Sequence, residues 1–218
     1  MPEDSVMVKA ALIAWILAVP LWFVTKFFVV IAHEGGHALV GLALLNRVRR
    51  IIFDRDGGGG TEFVSPPAWP FVILVAFAGY AGPSLFGLLA SALLLHGKPE
   101  MVLWASMAFL FLMMFTVRGW VGWIVIPLLM VGLYQLATKA SAEMSTLGAY
   151  VWTWFLLIGA VQRMLVYLST KNYLVAGTDT VRLQKASLVP SEIWSLILLL
   201  ATGAALVWGG SMLLRMPT

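Results

Sequence analysis

Residues 7–46 form one apolar run. It is about twice the roughly 20 residues that a single helical crossing of a bilayer requires. Pro20 falls inside the run and is expected to divide it into two helices. Further apolar runs occupy about residues 69–95, 101–117, 119–137, 147–168 and 191–214. A water-soluble fold of 218 residues could not hide so much apolar surface, because 61% of the chain is hydrophobic and only 11% is charged. Ordinary soluble proteins carry roughly 25% charged residues. These runs predict an all-α polytopic membrane protein, one domain over residues 1–218, with six or seven transmembrane helices. Trp69, Trp120, Trp123, Trp194 and Trp208 lie near the ends of the runs, where an indole ring favours the membrane–water interface.

Composition removes some chemistries. The chain has no cysteine, which excludes disulfides and thiolate metal sites. Its net charge of +4 is not gathered into basic-aromatic stretches of the kind that bind nucleic acid. Met1-Pro2-Glu3-Asp4-Ser5 lacks the basic segment of a cleaved signal peptide, so the first span is expected to stay as an anchor.

Residues 47–68 interrupt the apolar pattern. Two strand-like stretches flank Asp56-Gly57, which predicts a short membrane-surface β-hairpin. Counted alternately from the end of the first run, the loops on one side hold Arg47, Arg49, Arg50, Arg55, Arg118, Lys171, Arg182 and Lys185. The loops on the other side hold Lys98, Lys139 and Arg215. The positive-inside rule assigns the first set to the cytoplasm. The side of the N-terminus stays open, because the first run can cross once or twice.

Inside the first run stands His33-Glu34-Gly35-Gly36-His37. Ionisable groups at membrane depth are costly and mark a functional site by default. Histidines four residues apart lie on one face of a helix, so their imidazoles can hold one zinc ion together. Glu34 can then act as general base toward a water that the metal activates. Buried there, the imidazoles need partners, and a metal supplies one to each. Gly35 and Gly36 each lose about 1 kcal/mol of helix propensity. What they provide is room for a neighbouring helix or a substrate backbone.

A catalytic zinc needs a third protein ligand and one open position. His96 lies in a loop on the side opposite the basic loops, whereas His37 lies nine residues before Asn46, toward the other end of its helix. At about 1.5 Å per residue the two are well separated along the membrane normal, so His96 is set aside. Asp54, Asp56, Glu62 and Asp179 are the carboxylates on the required side. The first three flank glycines and read as solvated turn residues. Asp179 reads equally as a third ligand or as the cap of a short helix over Thr180–Ala186. Soluble zinc-protease patterns do not extend the motif. Ala43 and Val40 stand where one such pattern needs histidine and glycine. Glu62, between four glycines and Ser65-Pro66-Pro67, is on no helix. Gly79 and Gly82, beside Tyr80 and Pro83, read as close helix packing with a kink.

The chain resembles the site-two protease family of intramembrane zinc metalloproteases. His33-Glu34-Gly35-Gly36-His37 matches its first motif, and residues 47–68 resemble its membrane-surface hairpin. Ala81-Gly82-Pro83-Ser84-Leu85-Phe86 is a partial counterpart of a second motif, Ala-Gly-Pro-x-x-Asn, with Phe86 in place of asparagine. Asp179 corresponds to the family's aspartate ligand, followed here by Thr180 rather than the usual glycine. Val189-Pro190-Ser191-Glu192-Ile193-Trp194 matches the Pro-x-x-x-Trp ending of a small, divergent bacterial branch. The resemblance runs from about residue 20 to 200. It implies a zinc metalloendopeptidase in a bacterial plasma membrane, with zinc on His33, His37 and Asp179 and Glu34 as the base. Residues 169–190 would be the loop carrying the third ligand. The implied partners are the lipid bilayer and a membrane-protein substrate, cleaved in or near a transmembrane segment. The alternatives are a non-proteolytic membrane protein retaining a structural zinc site, and a transporter or channel suggested by the glycine-broken spans.

Overall fold

The computed structural model describes residues 4–214. Among them, helix α1 (Asp4–Ala18) is followed by α2 (Trp22–Ala43), strands β1 (Val48–Phe53) and β2 (Gly59–Phe63), α3 (Trp69–Leu95) and α4 (Pro99–Met114). Strand β3 (Val117–Arg118), α5 (Trp120–Thr138), α6 (Ala142–Ser169), a short 3-10 helix (Asn172–Leu174), α7 (Asp179–Ser187) and α8 (Ser191–Leu214) complete the order. Helices α2, α3, α5, α6 and α8 are long and apolar enough to cross a membrane, while α1 and α4 are shorter apolar helices. The fold is that of a polytopic helical membrane protein, in which each helix satisfies its own backbone away from water.

Pro20 does break the first run. The Leu21 amide donates to the Ile16 carbonyl at 3.0 Å, and the Thr25 hydroxyl takes the Leu17 carbonyl at 2.6 Å. The backbone group displaced by the proline is thereby satisfied.

Helices α2 and α3 touch backbone to backbone. A Cβ on Gly36 would strike the Ala78 carbonyl, and one on Gly82 would lie 2.7 Å from the Ala32 carbonyl. Only glycine permits that approach, so Gly36 and Gly82 are packing residues. Helix α6 lines the centre of the bundle with the fully buried Tyr150, Leu157 and Met164.

The hairpin closes through Asp54–Gly58, with Gly57 at φ +87° and the Gly58 amide on Asp56 Oδ1 at 3.0 Å. Its strands pair Ile51 with Thr61 and Phe53 with Gly59. The sequence did not announce the third strand. Val117–Arg118, in the α4–α5 turn, runs parallel to β1 and gives a sheet of order β2-β1-β3. Burial of Ile51, Phe53 and Val117 fixes this sheet to the helical core. One edge of the sheet is β2 and the other is the two-residue β3.

The hairpin lies back along α2. Phe63 packs where Gly41 leaves space, Thr61 reaches Glu34, and the Lys26 ammonium donates to the Asp56 carbonyl beside Gly57. Phe86 faces elsewhere. Its ring lies tilted at 48° to that of Phe109, with centroids 4.8 Å apart, and lines an apolar cavity of about 240 Å³ with Phe28 and Trp152.

Candidate metal centre

His33 and His37 occupy consecutive turns of α2, and their side chains meet because the helix repeats every 3.6 residues. Their Nε2 atoms are 3.3 Å apart. Asp179 Oδ2 lies 3.2 Å from His33 Nε2 and 3.1 Å from His37 Nε2. These three atoms therefore form a nearly equilateral triangle. Zinc bonds of about 2.0–2.1 Å in tetrahedral geometry place neighbouring ligand atoms about 3.3 Å apart. The donor set thus fits one face of a zinc tetrahedron. The Nδ1–H of His37 donates to the Val75 carbonyl at 2.7 Å, which turns the Nε2 lone pair toward the other two donors. His33 Nδ1 is buried without a partner. Three lone-pair donors facing one point repel one another unless a cation lies between them.

Asp179 arrives on α7, and Thr178 rather than Asp179 occupies the N-cap position. The capping role is therefore not its own, and its carboxylate turns to the histidines instead. Helix α7 is held by buried Leu183 and by a 2.6 Å hydrogen bond between Thr180 and Tyr167. Its junction with α8 is tied by Trp194 Nε1 donating to Ser187 Oγ at 2.8 Å.

Glu34 is 2% exposed, so its orientation is set by its neighbours. The Thr61 hydroxyl lies 2.9 Å from its Oε2, while Oε1 lies 3.9 Å from His33 Nε2. One carboxylate oxygen is anchored by β2 and the other faces the donor triangle. Gly59 on β2 is equally constrained, because a Cβ there would come within 2.8 Å of Glu34 Oε1.

The other candidates lie apart from the triangle. Glu62 binds Arg50 at 2.7 and 2.8 Å across the hairpin, and this pairing lowers its pKa. Asp54 and Asp56 belong to the hairpin turn, and His96 is exposed at the end of α3. Among the described residues, His33, His37 and Asp179 are the group of three or more that could hold a metal.

Several contributors were not foreseen. Thr61 and the Val75 carbonyl orient Glu34 and one imidazole. The Tyr80 ring packs edge-on against His33 with centroids 4.6 Å apart. Gly79 is more than a packing glycine, since a Cβ there would strike the His37 ring and come within 2.8 Å of His33 Cε1. Arg163 lines the same cavity as the donors, a space of about 630 Å³. As an ionisable residue inside an apolar run, Arg163 carried the same signal as the histidines.

A family model described as Peptidase M50B-like matches residues 6–209, which takes in the donor triangle, Glu34 and all but the end of α8. No curated protein and no solved structure matches the chain.

Proposed function

The chain belongs to the Peptidase M50B-like family, a family of membrane metalloproteases, and on that premise we propose that it is an intramembrane zinc metallopeptidase. One observation carries the reading: three buried donors, two on α2 and one on α7, His37 and Asp179 being 142 residues apart, converge at 3.1–3.3 Å, with Glu34 beside them. His33, His37 and Asp179 would hold the ion. Zinc, when bound, supplies Lewis acidity, which polarises the scissile carbonyl and acidifies water at its open position. Glu34 Oε1 takes a proton from the attacking water while Thr61 fixes Oε2. The water oxygen bonds to the carbonyl carbon, the C–N bond breaks, and Glu34 delivers its proton to the leaving amine.

The substrate class follows from the surroundings. The cavity is walled on one side by membrane-length helices and on the other by the hairpin and the segment before α7, which favours a membrane-embedded segment unwound enough to expose its backbone. The free edge of β2 lies beside Glu34, and an edge strand offers backbone groups to an extended peptide. The donors, Glu34 and the hairpin act together, so residues 1–218 would work as one metallopeptidase-like domain. The resemblance to a bacterial branch supports a bacterial plasma membrane as its location.

The test is hydrolysis of a panel of transmembrane peptides in proteoliposomes, with products mapped by mass spectrometry. A zinc chelator should abolish cleavage, and added zinc should restore it. Cleavage that survives complete zinc removal would overturn the reading. A second expectation concerns Gly79. Gly79→Ala favours the helix by about 1 kcal/mol in propensity but displaces the His37 ring. Zinc affinity should fall by about 10- to 100-fold, the range seen when ligand orientation is lost. Competition with a chromophoric chelator measures it, while circular dichroism should show helix content retained.

A further inference from the structure

Arg163 sits inside the membrane-spanning helix α6, half-buried, with its Nε enclosed and lacking a hydrogen-bond partner. Among the described residues no carboxylate lies within ion-pair distance of it. Its one contact of note is the Tyr80 ring, 5.7 Å from the guanidinium carbon to the ring centroid. That ring is the one packed against His33. A cation without an ion-pair partner on the wall of this cavity is placed to meet a charge that arrives with the substrate. The other cations on the cavity are already engaged. Lys26 donates to the Asp56 carbonyl, and Arg182 lies 3.7 Å from Asp179 Oδ1.

We propose that Arg163 binds the oxygen of the scissile carbonyl as it becomes an oxyanion, which makes it a further catalytic residue. The proposal rests on the peptidase reading above. It lines the same cavity as His33, Glu34, His37 and Asp179, and the Tyr80 ring bridges it to His33, which puts it on the wall of the donor site rather than at a remote subsite. A substrate carboxylate is a poorer match, because an acidic side chain is itself costly in a membrane segment, whereas every peptide bond brings a carbonyl. A guanidinium keeps its charge at any working pH and offers several N–H donors to one oxygen.

The test uses the zinc-loaded full-length protein in nanodiscs and two non-cleavable probes of one apolar sequence. One carries a phosphinic group at the central Leu–Ala bond, which mimics the tetrahedral oxyanion. The other carries a reduced amide, which has no oxygen there. Arg163→Gln should weaken phosphinic binding by about 100-fold, the loss typical of one oxyanion donor. Reduced-amide binding and zinc stoichiometry should stay unchanged. Arg163→Lys, which keeps the charge but not the fork, should lose about tenfold, partway to that loss. Equal weakening of both probes, or no weakening of either, would overturn the assignment. If the wild-type protein holds zinc yet does not prefer the phosphinic probe, the peptidase reading itself falls, and the assignment with it.

Discussion

Glu34→Gln should lower hydrolysis by about a thousandfold, within the range that a positioned general base contributes, and leave zinc bound. Glutamine has nearly the same shape as glutamate, and its amide oxygen can still accept from Thr61, now 2.9 Å from Oε2. The packing against Gly59 is likewise preserved. What disappears is the ability of Oε1 to take a proton. Product formation by mass spectrometry and metal content by atomic emission would be read on the same preparation. Loss of both together would mean that Glu34 is a fourth ligand, since Oε1 lies 3.9 Å from His33 Nε2. The site would then be closed and structural rather than catalytic.

His37→Ala and Asp179→Asn should each reduce bound zinc from about one ion per chain to nearly none. His37→Ala deletes one corner of the triangle and leaves the Val75 carbonyl without its 2.7 Å donor. Asp179→Asn is the more informative change, because it keeps the shape and removes the charge that neutralises half of the ion. The loss should exceed the 10- to 100-fold penalty for removing an outer partner of a ligand. Zinc retained by Asp179→Asn but lost by His37→Ala would mean that the third ligand is not Asp179. Equilibrium dialysis against buffered zinc reads both variants directly.

How much of this was legible from the chain depends on the distance over which each feature is determined. The pairing of His33 with His37 follows from four residues of helix, so spacing alone gives it. The break at Pro20 and the Asp56-Gly57 turn are equally local. The role of Asp179 was not: ligand and cap were even readings of its neighbourhood. The structure places Thr178 at the cap and Asp179 at the histidines. Resemblance to a known family, not the local pattern, had pointed to it. Gly79 and Gly82 look alike in sequence, yet one borders a carbonyl of α2 and the other an imidazole. Strand β3 has only two residues and no pattern of its own, and its pairing partner lies far back in the chain.

The sequence by itself determined a helical membrane protein, its hairpin, and two imidazoles and a glutamate on one helix. These properties come from hydrophobicity and from helix and strand periods, which act over a few residues. The third donor, the Thr61 hydroxyl that orients Glu34, and the place of Arg163 beside Tyr80 were decided only by tertiary structure. Each requires segments distant in the chain to be packed at defined depths and rotations, which no local period encodes.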